Sequence, residues 1–247
     1  MTRNKPPRVA IDGPAGAGKS TVARGLANRL GFVLVDTGAL YRAVALAAKR
    51  AGIDWNDEPR VAAVAERMVS EQRIRLERAE NVAPPSGDRM HRGGSGIRVM
   101  LGEEDVSTAI RAPDMSLGAS RVSAIPAVRA ALLDLQRQAG KDGGVVLEGR
   151  DIGTVVFPDA EVKFFLTASP EERARRRFEE LVARGASVTL EETLADVIRR
   201  DKADTERPVA PLRQADDALL VDSGDRAVDE IIETMARIVE SRSRRDD

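Results

Sequence analysis

The chain has 247 residues, with 39 basic against 40 acidic side chains, 42% hydrophobic residues and no cysteine. A chain of this length and hydrophobic content can bury a cooperative core, which argues against intrinsic disorder. The lack of cysteine excludes a disulfide framework, a cysteine-ligated zinc and a thiol nucleophile. A net charge of -1 provides no global field for a nucleic acid or an anionic membrane. With no signal-peptide pattern and no run of membrane-spanning length, we expect a cytoplasmic protein without nucleic-acid or membrane partners.

Short apolar runs that end in carboxylates or small polar residues predict five strands of one sheet. They cover residues 9–12, 32–36, 145–148, 162–166 and 218–222. Runs that are nearly continuous and rich in β-branched residues are typical of parallel strands covered on both faces. Helical periodicity is found between them, at residues 22–30, 130–135, 170–181, 190–200 and 228–239. The sequence therefore predicts an α/β fold, with a five-stranded parallel sheet flanked by helices.

Residues 53–114 have a different pattern. Residues 73–76 and 97–101 alternate polar and apolar side chains, which predicts half-exposed strands of an inserted subdomain. The stretch from 78 to 96 is rich in Pro, Gly and Ser and lacks an apolar period, so we expect a mobile loop there. The charged tail, 241–247, is expected to be frayed.

A glycine-rich segment between the first strand and the first helix carries the strongest functional pattern. It matches G-x-x-x-x-G-K-S/T, and its residues are Gly13, Pro14, Ala15, Gly16, Ala17, Gly18, Lys19 and Ser20, with the helix beginning near Thr21. Such a loop turns successive backbone N–H groups toward a polyphosphate at a helix N-terminus. We expect Lys19 to reach the β- and γ-phosphates of a nucleotide and the Ser20 hydroxyl to ligate Mg²⁺.

Two other nucleotide-binding classes fit less well. Asp36 ends the second strand about where a dinucleotide-binding protein holds its ribose-binding acid. However, Thr21 stands where the third glycine of G-x-G-x-x-G would be. A guanine-nucleotide switch would need an N-K-x-D segment, which the sequence does not contain.

The polar residues of the sequence indicate which kind of molecule accepts the phosphate. The only histidine, His91, falls in the predicted mobile loop, and no Ser/His/Asp constellation can be assembled. If the acceptor is a phosphate monoester, no strong base is needed, and arginines that neutralise and align two anions suffice. Of the 39 basic residues 33 are Arg, and two clusters, at 171–177 and 199–208, bracket a possible lid. A solvated helical face with Glu/Arg pairs is the alternative interpretation.

Three further strings make the chain resemble the bacterial cytidylate kinase family from about Arg8 to Ile238. They are Asp36-Thr37-Gly38-Ala39-Leu40-Tyr41-Arg42, residues 147–158 (Leu-Glu-Gly-Arg-Asp-Ile-Gly-Thr-Val-Val-Phe-Pro) and residues 207–212 (Arg-Pro-Val-Ala-Pro-Leu). The resemblance implies a nucleoside monophosphate kinase fold in one domain, with a core of residues 8–52, 115–168 and 208–240. It also implies an acceptor-binding insert of about 53–114 and a lid of about 169–207. The loop at 78–96 is longer than is usual in the family.

The implied reaction is transfer of the γ-phosphate of ATP, with Mg²⁺, to CMP or dCMP. The resemblance implies ATP binding by residues 13–21 and Arg176, with Lys19, Arg150, Arg176 and Arg200 as catalytic residues. The residues that match cytosine contacts of the family are Thr37, Arg129, Asp151 and Arg207. Those that match pentose contacts are Arg200 and Asp204. Those that match contacts of the acceptor phosphate are Arg42, Arg111 and Arg150. Local alternatives are a helix N-cap for Thr37 and an ion pair between Arg150 and Asp151.

Other functions stay open at this stage. A kinase of the same superfamily could use UMP, AMP or a non-nucleotide alcohol, and a nucleotide-dependent binding module would use the loop without phosphoryl transfer. The sequence does not decide between CMP and dCMP or fix the range of donors. We expect a monomer, because a lid and an insert must move during closure.

Overall fold

The structure is a computed structural model that describes residues 5–78, 97–183 and 185–243. Its strands are β1 (Arg8–Asp12), β2 (Val33–Asp36), β3 (Ile74–Arg78), β4 (Ile97–Leu101), β5 (Glu104–Asp105), β6 (Val145–Glu148), β7 (Val162–Thr167) and β8 (Leu219–Asp222). Its helices are α1 (Lys19–Leu30), α2 (Gly38–Arg50), α3 (Glu58–Ser70), α4 (Met115–Ala124), α5 (Pro126–Gly140), α6 (Pro170–Ala183), α7 (Leu190–Glu206) and α8 (Val228–Ser243). The predicted mobile loop, with His91, lies outside the described residues except for Arg78, which ends β3. Of the tail expected to be frayed, residues 241–243 are the last residues of α8, and the rest lies outside the described residues.

The main sheet has the order β2-β6-β1-β7-β8, and all of its strand pairs are parallel. The predicted five-stranded parallel sheet is therefore confirmed. Strand β1 is central, so Ile11 lies between Glu148 of β6 and Phe164 of β7. Carboxyl ends of parallel strands meet at one edge of a sheet, where α/β proteins bind ligands. This topology brings the segments that follow β1, β2 and β6 together.

Helices cover both faces of the sheet. Alternate side chains of β1, β6 and β7 pack against α1 and α8 on one face, while Ala10, Val35 and Leu147 pack on the other against residues 152–160. The expectation that all five strands are covered on both faces is wrong for β8, whose residues alternate between half-buried and exposed. The reason is its position at the edge of the sheet, which leaves Leu220 61% exposed.

A second sheet, β3-β4-β5, is antiparallel. Its apolar side chains, including Ile74 and Val99, join one buried cluster with α2, α3, α4 and α5. The two half-exposed strands expected in residues 53–114 are thus present, while β5 is an addition that sequence periodicity missed because it has only two residues. No helix in the described ranges is long and apolar enough to cross a membrane.

Candidate active site

The loop after β1 has a backbone that only glycine can supply at its first position. Gly13 has φ of +149°, and a Cβ added there would lie 1.9 Å from the Leu166 carbonyl oxygen of β7. Gly18 has φ of +84° and immediately precedes α1. These residues therefore let the chain turn tightly from the buried strand to the helix N-terminus, where free N–H groups and the helix dipole favour an anion.

Lys19, in the first turn of α1, is only 7% exposed and its Nζ donates to the Pro14 carbonyl at 2.6 Å. Burial, together with the positive charges of Arg150 and Arg200, holds the pKa of Lys19 well below its usual range. Cations held this close together form a site for a polyanion, because a bound anion offsets their mutual repulsion.

Ser20 lies next to a buried carboxylate that was not among the sequence candidates. Its Oγ donates to Glu148 Oε2 at 2.8 Å, and Glu148 is only 4% exposed. Burial and the nearby charge of Asp36 raise the pKa of Glu148 to about 7. The sequence signal that could have identified Glu148 is its position as an acidic residue at the end of an apolar strand. Strands β1 and β2 end in acidic residues in the same way. A hydroxyl and a carboxylate are hard oxygen ligands of the kind that Mg²⁺ uses.

Asp12 connects the loop to the segment after β6. Its two carboxylate oxygens accept from the backbone N–H groups of Ile152 and Gly153 at 2.8 and 2.7 Å. Burial raises the pKa of this carboxyl to about 6. Residues 152–156 form one wide helical turn at this point. Asp12 thereby holds Arg150 and Asp151, which come just before that turn, beside the phosphate-binding loop.

Two of the predicted cytosine contacts, Arg129 and Arg207, lie beside a third, the buried carboxylate of Asp151. Arg129 donates a hydrogen bond to Asp151 Oδ2, and Arg207 Nη2 lies 3.6 Å from Asp151 Oδ1. The Arg129 guanidinium also lies over the ring of Tyr41, 5.4 Å from its centre. Thr37 is 3% exposed, and its hydroxyl donates to the Glu148 carbonyl at 2.9 Å. Thr37 does occupy the N-cap position of α2, as the capping alternative expects, but its hydroxyl makes no capping hydrogen bond.

Three more predicted residues form a second charged group. Arg150 Nε donates to Asp204 Oδ2 of α7 at 2.9 Å, so Arg150 pairs across the site instead of with its neighbour Asp151. Burial and the charge of Arg150 lower the pKa of Arg200 to about 10. Within the described residues, Arg200 Nε and Arg207 Nη2 are buried donors without a hydrogen-bond acceptor. Buried unpaired donors are costly, so this group is suited to an anionic or oxygen-rich ligand.

The remaining arginines occupy three different places. Arg42 of α2 is half-buried and paired with Asp36. Arg176 of α6 donates to the carbonyls of Ser223 and Gly224 at 2.6 and 2.9 Å. Arg111, at the end of the short helical turn Ala109–Arg111, is exposed and donates to the Ser107 carbonyl at 3.3 Å. Within the described ranges, no hydrogen bond or ion pair joins Arg111 to the other site residues.

A parallel sheet with this loop at its carboxyl edge, facing a group of arginines and carboxylates, defines a P-loop phosphotransferase. The cytidylate kinase family model matches residues 9–241. The cytidylate kinase of Geobacter sp. strain M21 is 52% identical over 95% of this chain and 93% of its own length. That of Pseudomonas aeruginosa strain UCBPP-PA14 is 46% identical over 94% of both. The chain belongs to the cytidylate kinase family.

Proposed function

We propose that the protein transfers the γ-phosphate of ATP to CMP or dCMP, giving ADP and CDP or dCDP. The observation that carries this proposal is the buried group of Arg129, Asp151 and Arg207. Thr37, also buried, donates to the carbonyl of Glu148, three residues before Asp151. A carboxylate can accept from the exocyclic amine of cytosine, and guanidinium groups can donate to its O2 and N3. Uracil presents an acceptor where cytosine has that amine, which opposes it to Asp151 and supports selection of cytosine.

The neighbouring group supports binding of the rest of the acceptor. Asp204 can accept from a pentose hydroxyl while Arg200 orients the sugar, and planar guanidinium groups suit phosphate oxygens. We assign Arg42, Arg111 and Arg150 to the acceptor phosphate. Because that phosphate is already anionic near neutral pH, the reaction needs alignment and charge neutralisation more than a general base.

At the donor side, the backbone N–H groups of residues 13–21 would hold the ATP phosphates, and Lys19 would neutralise charge on the transferred group. We assign Arg176 to the donor nucleotide and propose that residues 169–207 act as a lid, with residues 53–114 as the acceptor-binding insert. Closure of these parts would exclude water, so that CMP competes successfully with hydrolysis.

Magnesium fits the oxygen ligands that Ser20 and Glu148 offer. The described residues contain no group of three or more His, Cys, Asp or Glu that could hold a metal ion. Mg²⁺ commonly binds through one or two protein oxygens plus substrate phosphates. When bound, the ion would shield the negative charge of the phosphates, while Ser20 and Glu148 would position it.

We further propose a monomer that acts in the cytoplasm without nucleic-acid partners. The regions proposed to close need free surface around them, which supports a monomer. Size-exclusion chromatography with light scattering tests the oligomeric state at micromolar concentration. A mass near twice the 26.7 kDa of the chain would reject the monomer.

The test of the proposed function is ADP production from ATP and Mg²⁺, with CMP, dCMP, UMP, AMP, GMP or no acceptor offered in parallel. We expect strong dependence on CMP and dCMP, with CDP or dCDP as the second product. ADP formation with another acceptor, or hydrolysis without one, would retain phosphoryl transfer by the loop and reject the cytosine assignments. No turnover in any of these mixtures would favour a nucleotide-dependent binding module.

A further inference from the structure

Arg173, in the first turns of α6, is a buried arginine that none of the roles above uses. Its side chain is 3% exposed, whereas Arg175, two residues further along the helix, is 54% exposed. Its Nε donates to the Ala168 carbonyl at 2.9 Å, and its Nη1 donates to the Ala15 carbonyl at 3.1 Å. One guanidinium therefore binds both the end of β7 and the phosphate-binding loop.

The same guanidinium forms a two-point contact with α7. Arg173 Nη1 lies 2.9 Å from Asp201 Oδ1, and Nη2 lies 2.6 Å from Oδ2. A bidentate pair fixes orientation as well as distance, because both groups are planar. Arg173 thus links the loop after β1 to both helices of the proposed lid.

The contact with the loop orients a phosphate-binding group. In a planar trans peptide the carbonyl and the N–H point in opposite directions, so a fixed Ala15 carbonyl also fixes the Gly16 N–H, directed away from Arg173. Packing is close here, since a Cβ added to Gly16 would lie 3.1 Å from Arg173 Cβ. The hydrogen bond to Ala15 therefore resists rotation of that peptide.

The contact with α7 places residues on both sides of the proposed reaction. Asp201 directly follows Arg200, which we assign to the acceptor. Arg173 lies three residues before Arg176, which we assign to the donor nucleotide and which is tied to Ser223 and Gly224. The pair of Arg173 and Asp201 therefore connects the helix that carries Arg176 to the helix that carries Arg200.

We infer that Arg173 is a positioning residue for phosphoryl transfer: it sets the Gly16 N–H of the loop and, through Asp201, the place of Arg200 in one rigid link. The inference rests on the proposed function. It makes alignment of the donor and acceptor phosphates depend on a residue that touches neither. Small misplacements of reacting groups are costly, since a shift of about 1 Å can lower a rate about 100-fold.

The test compares Arg173→Lys, Asp201→Asn and the double variant. Lysine keeps the positive charge of Arg173 but cannot form the bidentate contact, and asparagine keeps the shape of Asp201 but loses its negative charge. We expect each single variant to lower kcat for CMP by about 10- to 100-fold, with KM for ATP and CMP within about threefold of wild type. The double variant should be no slower than the slower single variant, because both changes break one link.

A matched control is the ion pair between Arg29 of α1 and Glu233 of α8, which also joins two helices, at 2.9 Å, but is exposed and remote from the site. Arg29→Lys and Glu233→Gln should leave kcat unchanged. Thermal unfolding of every variant shows which ones are folded at the assay temperature. If Arg173→Lys does not fold, Asp201→Asn alone tests the same link.

Two results would overturn the inference. If the folded variants have an unchanged kcat, Arg173 has a structural role only. If KM for CMP rises and kcat does not fall, the pair of Arg173 and Asp201 contributes to substrate affinity and not to positioning for phosphoryl transfer. A wild-type protein that forms no CDP would instead reject the proposed function, and the inference with it. Active wild type with unaffected variants rejects the inference alone.

Discussion

The two ends of the proposed active site are built from different materials. At the donor end, one continuous loop supplies backbone N–H groups, and glycines such as Gly13 make its shape possible. At the acceptor end, side chains from separate segments converge on Asp151, with Arg129 from α5 and Arg207 from the end of α7. The donor end is thus defined by backbone conformation and the acceptor end by pairing of buried charges.

Because of this difference, we expect substitutions at the donor end and at the acceptor end to have different functional effects. ATP phosphates would be held by many main-chain groups at once, so a single side chain there contributes mainly through charge in the transition state. Cytosine would be held by a few side chains. Because these side chains are buried together, each of them is also the polar partner of another. Removing one such side chain leaves its partners unpaired and weakens binding of the acceptor itself.

The largest effect is expected from Lys19→Ala at the donor end. We predict that kcat falls by about 100- to 1000-fold, because a buried positive charge on the transferred phosphate is lost. Affinity for CMP should stay within about twofold. Steady-state kinetics and calorimetric titration with CMP measure the two quantities.

Lys49→Ala is the control for that variant, since Lys49 is 57% exposed and paired with Asp114 on the surface. Its activity should equal that of wild type. A Lys19→Ala enzyme with wild-type kcat would contradict the role of the loop in phosphoryl transfer.

The next effect is expected at the acceptor end. Asp151→Ala should raise KM for CMP by about 100-fold, because the cytosine amine loses its acceptor while Arg129 and Arg207 lose their shared carboxylate. KM for ATP should change by less than about twofold. Asp114→Ala, on the surface, is the matched control. If the two variants had equal CMP kinetics, recognition of the base by Asp151 would be rejected.

The same contrast explains what the sequence could predict. The donor loop is a contiguous motif, and the strands around it are short apolar runs, so fold class and loop were predictable from local pattern. Pairing of Arg150 with Asp204 joins residues 54 positions apart, and only the tertiary position of α7 decides it. Spacing along the chain favoured Asp151 instead. Glu148 was missed because a strand-end acid becomes informative only when Ser20 lies beside it.

Asp12, which joins the two ends, should give stability an unusual pH dependence. Its folded-state pKa is raised from 3.8 to about 6, so the folded protein binds this proton more tightly than the unfolded chain. The contribution of Asp12 to stability is therefore fully present below pH 3.8 and is lost as pH rises through 6. A rise in pKa of this size corresponds to about 3 kcal/mol.

Asp12→Asn removes that titration. The free energy of unfolding of wild type minus that of the variant should be larger at pH 4 than at pH 7, by up to about 3 kcal/mol. Urea unfolding at several pH values measures it, and Asp114→Asn serves as the control because Asp114 is exposed. A difference that is constant, or that grows toward pH 7, would show that the buried carboxylate ionises easily and that its two N–H donors outweigh burial.

The smallest effect is expected for Arg111, the proposed acceptor-end residue that no hydrogen bond or ion pair among the described residues joins to the others. Arg111→Ala should raise KM for CMP by about 10-fold, the value of one charge-assisted hydrogen bond to a phosphate. The contribution should shrink at high salt, because Arg111 is exposed and surface charges are screened. Arg121→Ala, another exposed arginine, which donates to Asn56 at 2.5 Å, is the control. Equal KM values for the two variants would remove Arg111 from the acceptor site and leave that end to the buried residues alone.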